Sequence, residues 1–127
     1  MENSCRPESR SRIFRIFAKL RTAIPVPDTR LQVLKTLASP VRLEVLELLK
    51  EPAKHFPPQK DGDLVRDGVC ADYIRDKLGI AAATASRHLT LMAGAGLLIA
   101  TRRKGWTFYR RNEKALSSFT RQLRAEL

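Results

Sequence analysis

Residues 69–111 decide the fold, and they read VCADYIRDKLGIAAATASRHLTLMAGAGLLIATRRKGWTFYRR. A helical segment over Val69–Leu78 ends at Gly79, and an alanine-rich helical segment follows over Ala81–Ala95. A glycine between two helical segments favours a tight turn. The pattern therefore predicts a helix–turn–helix unit.

A basic β-hairpin is predicted directly after the second of these helices. Two short strands over Leu97–Thr101 and Trp106–Arg110 flank Arg102-Arg103-Lys104-Gly105, in which glycine accepts the positive φ of a tight turn. Side chains alternate along a strand, so Trp106 and Phe108 share a face, and one face of the hairpin is expected to pack. The order of helix, turn, helix and hairpin predicts a winged helix–turn–helix fold, mainly α with a small β-hairpin.

Three further helices are predicted around this unit. Ser39 and Pro40 form a start signal, because serine caps a helix and proline fits its first turn. An earlier helix is capped by Asp28, and a last helix is capped by Asn112 and runs through Leu127. The earlier helix is expected to present one apolar face, made of Leu31, Leu34 and Ala38.

Two other segments have more than one interpretation. The basic segment Ser9–Ile24 carries apolar residues at helical spacing and ends at Pro25. Such a helix packs on the domain or on a partner subunit, or it lies on a membrane surface. The segment Glu51–Gly68 is rich in proline and Asp-Gly pairs, which predicts an irregular loop whose length indicates a functional or a mobile segment.

The charge of the chain points to a polyanionic partner. Its 127 residues include 24 Lys and Arg against 13 Asp and Glu, a net charge of +11, which favours nucleic acid first and an anionic membrane second. The longest uncharged stretch, residues 88–101, is shorter than the ~20 apolar residues of a spanning helix. Residues 1–11 lack the apolar centre of a secretion signal, and two cysteines make no disulfide framework. We therefore expect a cytoplasmic protein without a membrane partner.

The predicted fold offers basic surfaces that suit a DNA duplex. The segment Arg102–Arg111 holds five cations and no acid, so the hairpin tip can meet phosphates. On the second helix, Thr84, Arg87 and His88 lie opposite the apolar face, where arginine can bind guanine and threonine a thymine methyl. Arg42 stands in the first turn of its helix, where a cation opposes the helix dipole, and this favours an anion contact. The alternative for each of these residues is an ordinary solvated side chain.

Two motifs occur in this order along the chain: LASPVRLEVL at residues 37–46, and SRHL at residues 86–89 followed by AGLL at residues 95–98. In their order and spacing they resemble the ArsR/SmtB family of bacterial winged-helix repressors, which are named for arsenic and zinc sensing. The similarity spans residues 30–111. On that match the recognition-helix set is Thr84, Ser86, Arg87 and His88, and the wing set is Arg102, Arg103 and Lys104.

The resemblance also implies an assembly and a division of the chain. It implies a homodimer formed through the outer N- and C-terminal helices, with a recognition helix over about 82–94 in the major groove and a wing over about 97–110 on the DNA backbone. Three segments follow from it: a basic extension with an amphipathic helix over 1–27, a DNA-binding domain over 28–111, and a C-terminal dimerisation helix over 112–127.

The chain departs from the family at its recognition helix and its metal sites. The family commonly begins that helix with serine, glutamine and proline, and this chain has Ala81, Ala82 and Ala83 instead. The arsenic-type site resembles Cys-Val-Cys before an aspartate, whereas here Cys70 stands alone at the middle place. The zinc-type site needs His and Asp on the last helix, which has neither, so no metal and no cofactor are expected. Cys70 is interpreted as a small core residue, with a redox thiol as the alternative.

These observations favour a DNA-binding transcriptional regulator. We expect an autoregulatory repressor that binds a pseudo-palindromic operator as a homodimer. The alternative is a winged-helix module with an architectural or protein-interaction role that binds no particular DNA sequence. An enzyme is not expected, because the chain lacks a phosphate-binding glycine loop and has only His55 and His88 as neutral-pH bases. The effector, whether an oxidant, a small molecule or none, stays open.

Overall fold

A computed structural model of the chain describes residues 29–127. The predicted helix over Ser9–Ile24, the predicted cap Asp28 and the first cysteine, Cys5, lie outside the described residues. The described elements are α1 (Thr29–Leu37), α2 (Pro40–Leu48), α3 (Pro52–His55), β1 (Val69–Cys70), α4 (Ala71–Leu78), α5 (Ala82–Gly94), β2 (Leu98–Arg103), β3 (Trp106–Arg111) and α6 (Glu113–Glu126). The strands form one antiparallel sheet in the order β1-β3-β2. The predicted class, mainly α with a small sheet, is confirmed.

Three predicted helix signals are confirmed at their residues. Ser39 caps α2, since its hydroxyl accepts from the backbone N–H of Arg42 at 3.4 Å, and Pro40 occupies the first turn. Gly79 ends α4 in the left-handed conformation at φ 69°. Asn112 caps α6, because its side-chain oxygen accepts from the N–H of Ala115 at 3.2 Å.

The start of the helix–turn–helix unit differs from the sequence prediction. Helix is predicted over the whole of Val69–Leu78, but Val69 and Cys70 form β1 and pair with Tyr109 and Phe108 of β3. The hairpin is therefore part of a three-stranded sheet. The reason is tertiary pairing: Gly68, at φ +108°, lets the chain pass so close to the Tyr109 backbone that β1 joins the ladder.

The hairpin β2–β3, which we call the wing, is longer than predicted and has a tighter turn. Arg103 pairs with Trp106 as the last rung of the ladder, so only Lys104 and Gly105 form the turn. Both have positive φ, 53° and 84°, as a two-residue type I′ turn requires. The conformation is natural for glycine and less so for lysine, which is placed at the outermost point of the wing.

The core fixes the helix–turn–helix unit on one face of the sheet. The buried side of α5 consists of Ala85, Leu89 and Met92. Leu89 and Met92 pack in one cluster with Leu98 and Tyr109, which lie on the same, inner face of the wing. This packing sets the angle between α5 and the wing.

The outer face of the wing is covered by the segment before β1. Trp106 and Phe108 share this face as predicted, yet Phe108 is 2% exposed and Trp106 is 44% exposed. The difference arises because Gly62 lies directly against the Phe108 ring, while the tip beyond it stays open. Tyr109, on the inner face, is buried as well, so the wing packs on both faces and not on one.

The segment between α2 and β1 is more ordered than predicted. Its first part forms the short helix α3, which corrects the expectation of an entirely irregular loop. The rest, residues 56–68, is tied to β1 by Gln59. The Gln59 amide donates to the Gly68 carbonyl at 2.9 Å and accepts from the Cys70 N–H at 2.6 Å.

The first helix has apolar residues on two sides. Val33 and Thr36 are buried in α1, and Val33 packs with Ala95 and Leu97. Leu31 and Leu34, which belong to the predicted apolar face, are 45% and 40% exposed. The side of α1 that carries Leu31 and Leu34 is therefore left open by the single chain, and the buried side is that of Val33.

We predict that Gly68→Ala destabilises the protein and Gly94→Ala does not. A Cβ at position 68 would lie 2.5 Å from the Tyr109 carbonyl carbon and would be forced into a positive φ, whereas a Cβ at position 94 meets nothing within 4 Å. We expect a loss of roughly 2–4 kcal/mol in the free energy of unfolding for Gly68→Ala. Gly94→Ala should gain up to about 1 kcal/mol, because alanine is the better helix former. Urea unfolding measures both, and equal midpoints for the two variants would contradict the close approach of β1 to β3.

Candidate nucleic-acid interface

Helix α5 turns a polar face to solvent. Ser86 and Arg87 are exposed, Thr84 is half-buried, and the opposite side of the helix is in the core. Within the described part of the chain the Arg87 guanidinium has no hydrogen-bond or ion-pair partner, so it is available to a ligand. Ala81 occupies the cap position and its side chain makes no capping bond, which leaves the first N–H groups of α5 open to an anion.

His88 and Arg42, which are far apart in sequence, form a hydrogen bond with each other. Arg42 Nε donates to His88 Nδ1 at 3.0 Å, and Arg42 Nη1 donates to the Thr36 carbonyl at 3.1 Å. Three helices therefore meet at one guanidinium: the end of α1, the start of α2 and the middle of α5. Both residues are predicted from the sequence to contact DNA. In the structure their hydrogen bonds connect α1, α2 and α5.

The environment of His88 favours its neutral form. Burial lowers the pKa of His88 below its ordinary value, and the charges of Arg42 and Arg87 lower the pKa further. A neutral ring is what the Arg42 bond needs, because Nδ1 must keep a lone pair to accept it.

The tip of the wing carries three exposed cations, Arg102, Arg103 and Lys104. The run is free of acids in sequence, but two aspartates reach it from residues 56–68. Arg103 lies 3.4 Å from the carboxylate of Asp67, and Lys104 lies 3.8 Å from that of Asp61. No sequence signal indicates this proximity, because it depends on how the long segment folds back over the sheet.

Asp67 connects residues 56–68 to Arg103 of the wing. Its side chain is 7% exposed and accepts from the Asp63 backbone N–H at 2.8 Å and from the guanidinium groups of Arg66 and Arg103 at 3.4 Å each. The Asp63 N–H bond, followed by the Arg66 hydrogen bond and the two arginine charges, lowers the pKa of Asp67 against the opposing effect of desolvation. Asp67 therefore stays charged and holds Arg103 at the base of the tip.

The other two cations of the wing, Arg110 and Arg111, are half-buried and lie away from its tip. Arg111 donates to the Leu46 carbonyl at 3.0 Å and forms a 2.8 Å ion pair with Glu113, which connects β3 to α2 and α6. Arg110 is half-buried and its Nε has no partner among the described residues. The exposed charge of the wing is thus concentrated at residues 102–104.

Cys70 lies below this surface and belongs to the sheet. The side chain is buried, the thiol is free, and the residue pairs with Phe108 on the outer face of the wing. Within residues 29–127 no three His, Cys, Asp or Glu side chains are grouped as a metal would require. None of the helices described between Thr29 and Glu126 has the length and apolar character needed to cross a membrane.

Two elements thus present polar or basic side chains to solvent: the exposed side of α5, with Arg87, and the hairpin tip, with its three cations. Together with the helix–turn–helix packing they define a winged helix–turn–helix DNA-binding domain.

The chain is similar to a bacterial regulator and to solved winged-helix structures. It is 39% identical over 97 residues to the uncharacterized HTH-type transcriptional regulator YbzH of Bacillus subtilis (strain 168), a match that covers 76% of this chain and 97% of that protein. No protein-family model matches the chain. The homodimeric winged helix–turn–helix domain of Mb0332 from Mycobacterium bovis, described as a possible ArsR-family regulator, superposes with a TM-score of 0.55 at 26% identity, covering 78% of this chain and 80% of that one. NolR from Sinorhizobium fredii superposes with a TM-score of 0.51 at 17% identity, covering 75% of this chain and 80% of that one, which supports the fold alone.

The chain belongs to the HTH-type transcriptional regulators. It is a transcriptional regulator with a DNA-binding winged helix–turn–helix fold, and its relatives are regulators, not enzymes.

We predict that His88 makes the stability of the domain depend on pH. Since the pKa of His88 is lowered on folding, the unfolded chain binds more protons than the folded one below about pH 6.5. The free energy of unfolding should therefore fall as pH decreases from about that value to the lowered pKa of the folded state, and His88 should not affect it at pH values well above this range. His88→Asn keeps an acceptor near the Nδ1 position without a proton to gain, so its pH dependence should be weaker. Urea unfolding of both proteins between pH 5 and 8 tests this, and parallel pH profiles would contradict it.

Proposed function

We propose that this protein is a homodimeric repressor of the ArsR/SmtB type that binds a pseudo-palindromic operator, including one in its own operon. The observation that carries the proposal is the pair of exposed basic surfaces: Arg87 on α5, residues 82–94, and Arg102–Lys104 at the tip of the wing. A recognition helix in the major groove and a wing on the backbone use such surfaces for base reading and for phosphate contact.

The surface of the outer helices supports a homodimer. Leu34 leaves much of its apolar surface exposed on α1, and α6 has an apolar stripe, which includes Leu116 and Phe119, that the single chain only half buries. Arg30 of α1 and Glu126 of α6 form an ion pair, so the two helices lie side by side and present one combined surface. Mb0332, at 26% identity, is described as homodimeric. A dimer would place two recognition helices about one helical turn of DNA apart.

Selection of binding sites from random duplex DNA tests this function, with sedimentation of the free protein to give its mass. A two-fold-related sequence enriched by a dimeric protein is the expected result, and its presence upstream of the protein's own operon is expected for an autoregulator. If the protein instead retains all duplex sequences equally, the result would favour the architectural role. The alanines at the start of α5 are compatible with that role, because their side chains form no hydrogen bonds with bases.

We predict that Arg87→Ala weakens binding to the selected operator by about 1–3 kcal/mol and relaxes the preference at one base pair. The reason is that Arg87 is exposed on the recognition helix, where a guanidinium can bind guanine through two hydrogen bonds. Competition titrations against single-base operator variants measure it. An equal loss on operator and scrambled duplex would show that Arg87 meets only the backbone.

We predict a different signature for Lys104→Ala at the tip of the wing. A lysine that contacts phosphate contributes equally on every sequence, so affinity should fall on operator and scrambled duplex alike. The slope of log affinity against log salt should decrease in magnitude by about one. Titrations at several salt concentrations give this slope, and an unchanged slope would remove Lys104 from the DNA contact.

A further inference from the structure

Residues 56–68, which we call the flanking loop, pass from the inner side of the wing to its outer face. Phe56 belongs to the core cluster of Leu89 and Met92 and Leu64 packs against it, whereas Gly62 lies against the Phe108 ring on the outer face. The inner face of the same sheet packs on α5 through Leu98 and Tyr109. The part of the flanking loop around Gly62 and the recognition helix are therefore on opposite sides of the wing.

The flanking loop is held in one conformation by its own aspartates. Asp63 Oδ2 accepts from the backbone N–H groups of Val65 and Arg66 at 3.1 and 2.7 Å, and the Asp63 carbonyl accepts from Asp67 N–H at 2.9 Å. Asp67 then joins this turn to Arg103 of the wing. The backbone of the turn is thereby held beside the wing tip, so the loop itself needs no ordering when a ligand binds.

A cleft of about 540 Å³ lies between the flanking loop and the wing tip. Its charged lining consists of the four cations Lys60, Arg66, Arg103 and Lys104 and the two acids Asp61 and Asp63. Lys60 is exposed and Arg66 has a side chain that is 73% exposed. Asp67 lies beside the cleft, 3.4 Å from both Arg66 and Arg103, and Asp61 lies 3.8 Å from Lys104. Four cations therefore face three acids, and among the described residues Lys60 is the cation of the cleft that forms no ion pair. The cleft adjoins Lys104, the residue expected to meet DNA phosphate.

We propose that this cleft binds backbone phosphate of the DNA duplex, with Lys60 and Arg66 as phosphate-contacting residues. The inference rests on the proposed function, because it extends the DNA surface of the wing. Lys60 and Arg66 of the loop line the same cleft as Arg103 and Lys104 of the wing tip. Successive phosphates of one DNA strand can therefore contact first the tip and then the cleft. Since Gly62 and its neighbours in the cleft lie across the sheet from α5, we expect these phosphates to lie outside the base pairs that the recognition helix meets.

The double variant Lys60→Ala/Arg66→Ala tests the proposal in the full-length protein. Its matched control is Lys50→Ala/Lys54→Ala, which removes the same charge from exposed positions just after the end of α2 and in α3. Like the loop variant, it also removes one partner of an exposed ion pair, here Lys54–Glu51. On the selected operator the loop variant should bind more weakly than the control, and its salt slope should be smaller by about one for each phosphate that it no longer neutralises. The advantage of the wild type over the loop variant should shrink roughly 3-fold for each such phosphate between 50 and 200 mM salt.

Trimming the operator from its outer ends locates the phosphates that the loop meets. Wild-type affinity should drop to that of the loop variant once the outer phosphates are removed, while the preference for operator over scrambled DNA stays unchanged in both. Lys60→Ala alone repeats the measurement at an exposed side chain and leaves the Arg66–Asp67 ion pair in place.

The outcomes distinguish a failure of the phosphate-binding cleft from a failure of the proposed DNA-binding function. If the wild type binds DNA and the loop variant matches the control in slope and affinity, the flanking loop has no role in binding and the inference is overturned. Tight binding of inorganic phosphate to the cleft, seen as shifts of the Lys60 and Arg66 amide signals that a 20-bp duplex does not compete away, would also overturn it. If the wild type binds no duplex at all, the proposed function itself fails.

Discussion

The packing of α5 against the inner face of the wing is the contact on which the DNA-facing surface depends. Leu89 and Met92 meet Leu98 and Tyr109 in one buried cluster, and this sets where the opposite side of α5 points. Burial of four large side chains of this kind is worth several kcal/mol. Arg87 and the wing tip are consequently two parts of one rigid surface, although 15 positions separate Arg87 from Arg102 in sequence.

The ion pairs and hydrogen bonds of each cation decide which basic side chains of this surface can contact a ligand. The net charge of +11 predicts a polyanionic partner, but it does not say which cations are available. Arg111 is bound to Leu46 and Glu113, and Arg103 is held by Asp67, whereas Arg87 has no partner among the described residues. Acids near the tip reduce its charge without cancelling it. Arg102, Arg103 and Lys104 together with Lys60 and Arg66 are five cations, whereas the loop contributes the three acids Asp61, Asp63 and Asp67.

The sequence predicts what depends on local chemistry and misses what depends on distant pairing. Ser39, Gly79 and Asn112 are caps or stops whose effect is felt within one helical turn, and the structure confirms each of them. Strand β1 is two residues long and exists only because β3 is beside it, so Val69 and Cys70 have no strand signal of their own. The same holds for the candidate site: the exposed Arg87 follows from helical spacing, whereas the bond between Arg42 and His88 joins residues far apart in the chain.

The guanidinium of Arg42 has a mechanical consequence for the molecule. It shares its donors between the last turn of α1 and the ring of His88, so two hydrogen bonds connect α1 to α5 through one guanidinium. A rotation of α1 that moves the Thr36 carbonyl must pull the guanidinium with it or break the bond. In the homodimer that we propose, a rearrangement at α1 would therefore reach α5 without passing through the sheet.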